Sequence, residues 1–394
     1  MVHTISFSNN YEWLHILYDL LKMIISHRFV LYIFLLFVVS CSRLYHGSWN
    51  QPYFDENVQP DKLGKNVSSW EDGARIPEDE FSVEWWYIDA KLEDSSIVVA
   101  YFYKVHNITN QYFIGFNYTS PDGVDTFKLK RFKKNDVSFS TDSCNVQFGK
   151  NYFRGNLNKY SVYLDPEDFE GFGIDLNLNS TIPPYRPQDG ILKAGDDYFA
   201  WLAAVPNGKV TGNYTLNYKD NLQASGSGYH DHNWGNTYLW RLFSGWTWFR
   251  GEAGPYTVIG AELNVVNNRG GFDVPILYVA DEKGEIVNEF GNKTLMTMKS
   301  DLITDLYNKK NEPQFSTFTI GTSDNVNVRI SKKSLLENID IFERAGLLSL
   351  PMKLSFSPFG IDPYYTRFSS NFNLRLSDGT SYEGTGVMEI MDLH

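Results

Sequence analysis

The chain has 394 residues, of which 42% are hydrophobic and 16% aromatic, enough apolar material for one large or two medium cores. Lys and Arg total 35 against 47 for Asp and Glu. The formal net charge is therefore -12, and nucleic acid, itself a polyanion, is a poor candidate partner. Cys144 is the only cysteine after Cys41, so no intramolecular disulfide is expected in the rest of the chain.

The N-terminal segment carries a targeting signal. Phe29 to Val39 form an unbroken apolar run, whose length suits the core of a signal peptide better than a membrane span of roughly 20 residues. The run ends at Val38-Val39-Ser40-Cys41, which resembles the lipobox of prokaryotic lipoproteins and makes Cys41 a candidate lipidation site. Residues 1–41 are predicted to be a leader of an exported, membrane-anchored cell-surface protein. Met23 is an alternative start that would leave residues 1–22 untranslated, and an uncleaved signal anchor is the alternative to a lipid anchor.

The exported part is predicted to be all-β. Residues 42–75 are polar and contain prolines, which is typical of a linker. Short apolar or alternating runs follow, such as EWWYIDAKL from Glu84 and SIVVAYFYKVH from Ser96, and turn residues separate them. This pattern indicates antiparallel strands in a closed or sandwich arrangement. A short segment around Lys332–Ile339 is the one place where a helical pattern is expected.

An internal repeat refines this fold. The aromatic strand start at Glu84 to Tyr87 recurs at Gly245 to Phe249, and in both cases a turn and an apolar strand follow. Gly226 to Tyr229 likewise recurs at Gly384 to Val387, at a similar distance from the first motif. Two similar barrel units are the natural inference, with chance similarity in an aromatic-rich chain as the alternative.

The motif GYHDHNWG, Gly228 to Gly235, concentrates polar side chains. In a strand, His230 and His232 point to one face and Asp231 to the other, so the two imidazoles could share a metal. No third ligand stands at a recognisable spacing, so the sequence predicts neither a metal nor another cofactor. His232 and Asn233 could instead satisfy buried backbone groups where the two units meet.

Aromatic residues accompany this motif. Any one of them could build core, but together with a carboxylate and two imidazoles they predict a mostly apolar pocket with a few polar groups. Desolvation there would raise the pKa of Asp231, which could then act as a general acid on an alkene or an alcohol while aromatic faces stabilise a carbocation. The residues concerned are Trp85, Trp86, Tyr87, Trp234, Trp240, Trp246 and Trp248.

The pairing of VEWWYIDAKL, from Val83, with GSGYHDHNWG, from Gly226, resembles the hydroxyneurosporene synthase or carotenoid 1,2-hydratase superfamily, also described as AttH-like. The similarity covers Glu78 to Asp392. It implies two tandem lipocalin-like antiparallel β-barrels, residues 76–243 and 244–394. Members include hydratases that add water to an isoprenoid double bond and fungal enzymes that steer intramolecular cycloadditions.

The resemblance also implies roles for individual residues. Asp231 is the expected general acid, and His230 would orient it or poise its proton. Glu84 is a second candidate proton relay, which could equally pair with Arg250 in a structural role. The expected substrate-binding side chains are aromatic, with one histidine among them: Trp85, Trp86, Tyr87, His232, Trp234, Trp246 and Trp248.

These expectations favour acid-catalysed hydration or dehydration, or a related lyase or isomerase reaction, on an apolar, isoprenoid or lipid substrate. Carotenoid hydratases act on pigments inside photosynthetic cells, so the predicted export supports the fold more than that substrate. A non-catalytic carrier of a lipid or other hydrophobic ligand is the alternative, and a surface interaction protein is a third. An enzyme needs Asp231 to face open space, whereas a carrier needs only the cavity.

Overall fold

The computed structural model describes residues 66–76, 82–106, 110–187, 190–194, 197–291, 294–305, 310–320, 326–343 and 349–394. The predicted leader, the candidate lipidation site Cys41 and most of the predicted linker lie outside the described residues. Across the stretches that are described, no helix combines the length and the apolar character needed to span a lipid bilayer.

The fold is all-β, as predicted, with 67% of the structure in strands. The first sheet contains β1 (Ser82–Leu92), β2 (Ile97–His106), β3 (Gln111–Thr119), β4 (Asp125–Phe132), β5 (Val137–Phe139), β6 (Asn145–Phe148), β7 (Asn151–Gly155), β8 (Lys159–Leu164), β9 (Gly173–Ser180), β10 (Ile191–Ala194), β11 (Asp197–Leu216) and β12 (Asp220–Gly235). The second contains β13 (Phe243–Ala253), β14 (Tyr256–Val265), β15 (Asp273–Asp281), β16 (Gly284–Phe290), β17 (Leu295–Thr304), β18 (Asn311–Ile320), β19 (Asn327–Asp340), β20 (Tyr364–Arg375) and β21 (Ser381–Asp392). Two short helices, α1 (Leu239–Leu242) and α2 (Ser349–Phe356), lie outside the sheets.

Both sheets are antiparallel and curved. The first has the order β4-β3-β2-β1-β12-β11-β9-β8-β7-β6-β5, with β10 on β11, and forms a nearly closed barrel. The second has the order β16-β15-β14-β13-β21-β20-β19-β18-β17 and forms a half-barrel. The helical segment expected around Lys332–Ile339 is wrong, because these residues belong to β19 and β20 supplies their backbone partners.

The two sheets repeat one arrangement. β1 and β13 each have 11 residues with the same sequence of buried and half-buried positions, and each pairs with the next strand and with the last strand of its own sheet. Tyr87 of β1 lies opposite Asp231, as Trp248 of β13 lies opposite Glu389. Asp231 and Glu389 are therefore equivalent positions of the repeat, and the predicted tandem of lipocalin-like β-barrels is confirmed.

Strand alternation distributes side chains over three buried groups. Trp86 belongs to the core enclosed by the first sheet, and Phe249 to the core enclosed by the second. A third group lies between the sheets, where Tyr87 and Tyr229 pack with Trp248. Because successive residues of a strand point to opposite faces, β1 and β12 contribute to the first core and to this third group at once. The space between the two sheets is called the junction below.

The described end of the predicted linker differs from that expectation. Ser69–Asp72 form a 3-10 turn whose Glu71 and Asp72 are fully buried. Trp86 donates from Nε1 to the backbone oxygen of Asp72 at 2.9 Å, and Arg186 Nε lies 2.8 Å from Glu71 Oε2. Buried carboxylates need such partners, so these contacts hold the turn against the first sheet.

Candidate active site

β12 divides the GYHDHNWG motif between two environments. His230 and His232 point into the core of the first sheet, where both are fully buried. Asp231 and Asn233 point to the junction. The motif therefore contributes to two separate clusters, one enclosed by the first sheet and one facing the second.

His230 belongs to the enclosed cluster. Its Nδ1 lies 2.8 Å from the backbone oxygen of Tyr87, and its Nε2 lies 3.1 Å from Asp72 Oδ2. Both neighbours are hydrogen-bond acceptors, so each ring nitrogen of His230 faces an acceptor. The expected contact in which His230 orients Asp231 is wrong, because the two side chains leave the strand on opposite faces. The alternative, an influence of His230 on the proton of Asp231, agrees with the lowering effect of His230 on the pKa of Asp231.

Glu84 lies in the same enclosed cluster. Its carboxylate accepts hydrogen bonds from Lys104 Nζ at 3.0 Å, from the Arg75 backbone at 2.6 Å and from His232 Nε2 at 3.1 Å. Burial raises the pKa of Glu84, but the His232 hydrogen bond and the Lys104 charge outweigh it and hold the pKa below its usual value. A structural ion pair does form, but the predicted partner Arg250 is wrong, because Arg250 pairs with Asp89.

Two of the predicted substrate-binding tryptophans also lie in this core. Trp86 stacks on the His232 ring at a centroid distance of 4.6 Å, and Trp234 lies 4.7 Å from it. Both side chains are at most 1% exposed. They therefore brace the enclosed cluster and lie away from the junction.

Asp72, Cys144 and His230 bring ligand-type atoms within 4.8 Å of one another, which no sequence spacing had indicated. Tyr160 OH donates to Asp72 Oδ2 at 2.5 Å and Cys144 Sγ lies 3.5 Å from the Phe153 backbone oxygen, whereas Asp72 Oδ1 makes no hydrogen bond. Burial also raises the pKa of the Cys144 thiol well above its usual value. We therefore assign these residues to the hydrogen-bond network of the first core.

Asp231 has a different environment. It is 8% exposed and accepts hydrogen bonds from Trp201 Nε1 at 3.1 Å, Tyr229 OH at 2.9 Å and Asn233 Nδ2 at 2.7 Å. Burial raises the pKa of Asp231 to about 7, although the hydrogen bonds and the nearby His230 act in the opposite direction. The carboxyl is therefore divided between its two protonation states near neutral pH.

Aromatic rings extend from Asp231 along the first sheet. Trp85 lies beside Tyr103 at 5.7 Å and Phe199 at 6.0 Å, and Tyr103 stacks on Tyr101 at 5.8 Å. All four side chains keep part of their surface exposed. Sequence reasoning found Trp85 but missed Tyr101 and Tyr103, although their alternation in SIVVAYFYKVH, on the face opposite to Phe102, was a usable signal.

The second sheet supplies the facing side of the junction. Trp248 lies 5.3 Å from Tyr229, and Trp246 is half-buried nearby. Arg367 donates from Nη2 to Tyr87 OH at 3.1 Å. The structure thus brings Asp231, Trp85, Tyr87, Trp246 and Trp248 to the junction. Their neighbours Trp201, Arg367 and Glu389 belong to no recognisable sequence motif. Only the internal repeat, in which Glu389 is equivalent to Asp231, could have indicated Glu389.

Comparisons with known proteins agree with this architecture. A Diels-Alderase-like family model matches residues 161–271. A hydroxyneurosporene dehydrogenase of Chlorobaculum tepidum is 25% identical over 204 residues, which are 43% of this chain and 53% of that protein. The chain thus spans about half the length of the curated relative that it matches.

Solved structures with the same fold share little sequence. The crystal structure of an AttH protein from Nitrosomonas europaea has a TM-score of 0.61 at 15% identity, over 84% of this chain and 98% of that one. CghA with Sch210972 gives 0.58 at 12% identity, over 84% and 96%. Kievitone hydratase from Nectria haematococca gives 0.54 at 13% identity, over 83% and 93%.

These matches support the predicted resemblance to the AttH-like superfamily. The region matched by the Diels-Alderase-like family model includes β12 and β13, and so contains Asp231 with its partners Trp201 and Tyr229 together with Trp248. The part of the AttH-like fold that is matched in sequence therefore includes the junction carboxyl and ring systems on both sides of it.

Proposed function

We propose that this AttH-like protein is an enzyme that uses Asp231 as a general acid on an apolar substrate bound at the junction. The reaction would be a hydration or dehydration, or a related lyase or isomerase step. The observation that carries this proposal is a buried carboxyl with a pKa of about 7 beside half-buried aromatic rings. The fold is shared with kievitone hydratase, and the match to the Diels-Alderase-like family model also favours an enzyme.

The hydrogen bonds of Asp231 suit proton transfer. Oδ2 accepts from both Trp201 and Tyr229, whereas Oδ1 accepts only from Asn233. Oδ1 therefore keeps a lone pair on which the transferable proton can reside. Three donors also fix the orientation of the carboxyl, so proton delivery requires little rearrangement.

Proton transfer from Asp231 to one carbon of an alkene would leave a carbocation at the other. The faces of Trp85 and Tyr103 could stabilise that cation by cation-π attraction. Water would then bond to the cationic carbon and return a proton to the Asp231 carboxylate, so that the net reaction adds one water. Dehydration would run through the same steps in reverse.

The location and the natural substrate complete the proposal. The apolar run at Phe29–Val39 and the lipobox-like Cys41 support an exported protein that is anchored in a membrane. A membrane-anchored enzyme would meet lipids or isoprenoids, which dissolve in the bilayer. We propose this substrate class.

Native mass spectrometry after exposure to a lipid and isoprenoid extract would test the catalytic role. We expect wild type to release a ligand changed by the mass of water, and Asp231→Asn to retain it unchanged, with turnover roughly 100-fold to 10,000-fold slower. Asp220→Asn, at an exposed position of the same strand, is the matched control and should behave as wild type. If both wild type and Asp231→Asn carry the same unmodified ligand, the protein is a carrier and Asp231 is structural.

A further inference from the structure

The second sheet presents buried hydrogen-bond donors without acceptors at the junction. Arg250 Nε, Trp248 Nε1, Tyr365 OH and Arg367 Nε have no hydrogen-bond partner of normal geometry, although Tyr365 OH lies near enough to Glu389 to lower the pKa of that carboxyl. All four side chains are at most 8% exposed. Glu389 Oε1 is a buried acceptor that also makes none, although Arg367 Nε forms an ion pair with it at 3.5 Å. Buried polar atoms are usually satisfied, so these atoms require an explanation.

Strand pairing places these groups around Glu389. Trp248, Glu389 and Arg367 lie directly opposite one another on the adjacent strands β13, β21 and β20. Side chains at such positions are neighbours, with Cβ atoms about 5 Å apart. Tyr365 and Arg250 lie two residues from Arg367 and Trp248, so all four side chains share the face of the second sheet that carries Glu389.

This cluster shares the junction with Asp231. Burial raises the pKa of Tyr103, and the charges of Asp231 and Glu389 raise it further, so the Tyr103 ring lies within electrostatic range of both carboxyls. Asp231 and Glu389 are equivalent positions of the internal repeat. The half-buried aromatic surface is thus flanked by a carboxyl from each sheet.

The unpaired atoms at the junction indicate which chemical group of a ligand would bind there. The donor atoms match an oxygen that accepts hydrogen bonds, such as a carbonyl or an enolate, whereas the acceptor Glu389 Oε1 is placed to hold Arg367. A pure hydrocarbon at the junction would exclude water and leave the donors unpaired, which is unfavourable. A site built to hydrogen-bond an oxygen therefore discriminates against an analogue that lacks it.

We propose that Arg367, Tyr365 and Trp248 donate hydrogen bonds to an acceptor oxygen, with Glu389 positioning Arg367, so that the substrate is an oxygenated apolar molecule such as an unsaturated ketone. The inference rests on the proposed function in one respect, namely that the substrate occupies the junction. It narrows the substrate class from isoprenoids and lipids in general to those that carry a carbonyl-type oxygen near the reacting carbon atoms.

Two isosteric probes test the proposal on the full-length protein by calorimetric titration. 2-Acetylnaphthalene carries a carbonyl oxygen where 2-isopropenylnaphthalene has a CH2 group. We expect wild type to bind the ketone roughly tenfold more tightly than the alkene. Arg367→Met should remove this preference and Tyr365→Phe should reduce it, whereas Arg375→Met, at an exposed position on the same strand, should preserve it. Tyr365→Phe keeps the test decisive if Arg367→Met does not fold.

Equal binding of both probes by wild type would overturn the proposal, and so would an equal loss of both in Arg367→Met or Tyr365→Phe. Asp231→Asn separates the two proposals, since it should keep the preference for the ketone while abolishing turnover. If the protein prefers the ketone through Arg367 but chemically changes no ligand, the oxygen-binding site is supported and the proposed catalysis by Asp231 is refuted. Failure of both probes to bind would refute the junction site on which both depend.

Discussion

Asp231 and His230 are adjacent in sequence but lie in different environments. The Asp231 carboxyl accepts hydrogen bonds from Trp201, Tyr229 and Asn233 at the junction, whereas His230 is enclosed beside Asp72 in the first core. The raised pKa of Asp231 follows from burial that three neutral donors offset only in part. A carboxylate that pairs with a cation has a lowered pKa. Among the described residues no cation is hydrogen-bonded to Asp231, so its carboxyl can still hold a proton near neutral pH, as the proposed proton transfer requires.

The raised pKa of Asp231 makes stability depend on pH. The folded protein holds this proton more tightly than the unfolded chain, so wild type should lose stability as pH rises from about 3.8 to about 7. Relative to Asp231→Asn, we expect a loss of at most about 1.4 kcal/mol per pH unit in this window. Urea denaturation of both proteins between pH 4 and 8 measures it, with Asp220→Asn as control. Parallel pH profiles of wild type and Asp231→Asn would contradict the raised pKa.

At the scale of elements, β1 and β12 form an antiparallel pair that separates the cluster enclosed by the first sheet from the cluster at the junction. Close contact of their backbones depends on glycine, because a Cβ at Gly226 would lie 2.1 Å from the Lys91 backbone oxygen. In the second sheet, a Cβ at Gly384 would lie 2.3 Å from the Glu252 backbone oxygen. The recurring glycine motif in the sequence thus has a steric cause that is the same in both sheets.

The enclosed cluster should be important for the stability of β1. Glu84→Gln removes the carboxylate that pairs with Lys104 and leaves a buried ammonium with the Ile76 backbone oxygen. We expect a loss of about 3–5 kcal/mol in the free energy of unfolding, measured by urea denaturation at pH 7. Because the pKa of Glu84 is lowered, wild type should also lose stability as pH falls below the usual carboxyl range.

The matched control for this change is Glu93→Gln, an exposed residue just after β1, which should cost less than about 0.5 kcal/mol. Adding Lys104→Met to Glu84→Gln should recover part of the loss, because the unpaired charge is then removed. A cost for Glu84→Gln as small as that of Glu93→Gln would show that the ion pair contributes little.

At the scale of the whole molecule, the sheets meet through equivalent surfaces. Asp89 of β1 and Arg250 of β13 occupy the same position of the repeat and form a buried ion pair across the junction. Asn117 Nδ2 adds a hydrogen bond to Glu337 Oε1 at 3.0 Å. Opposite charges at equivalent positions favour the pairing of the first sheet with the second over the pairing of two like sheets.

The ion pair between the sheets should be tested by charge exchange. Arg250→Met removes the cation that pairs with the buried Asp89 carboxylate, which then keeps the hydrogen bond from Tyr87 OH at 3.0 Å. We expect a loss of about 3–5 kcal/mol in the free energy of unfolding. The double change Asp89→Arg with Arg250→Asp should restore part of it. Lys91→Met, at an exposed position of β1, is the control. No recovery in the double variant would mean that the surrounding side chains, and not the pair itself, decide this contact.

Local patterns in the sequence determined the all-β fold and the tandem repeat and selected Asp231 as a candidate general acid, because strand alternation, glycine and aromatic clusters act over a few residues. The same alternation implied that the side chains of His230 and Asp231 point to opposite faces of the strand. The expected contact in which His230 orients Asp231 was inconsistent with it. Only the tertiary structure decided the partners of each group. Glu84 pairs with Lys104, and Glu389 faces the junction, since these contacts depend on strand order, which no local pattern encodes.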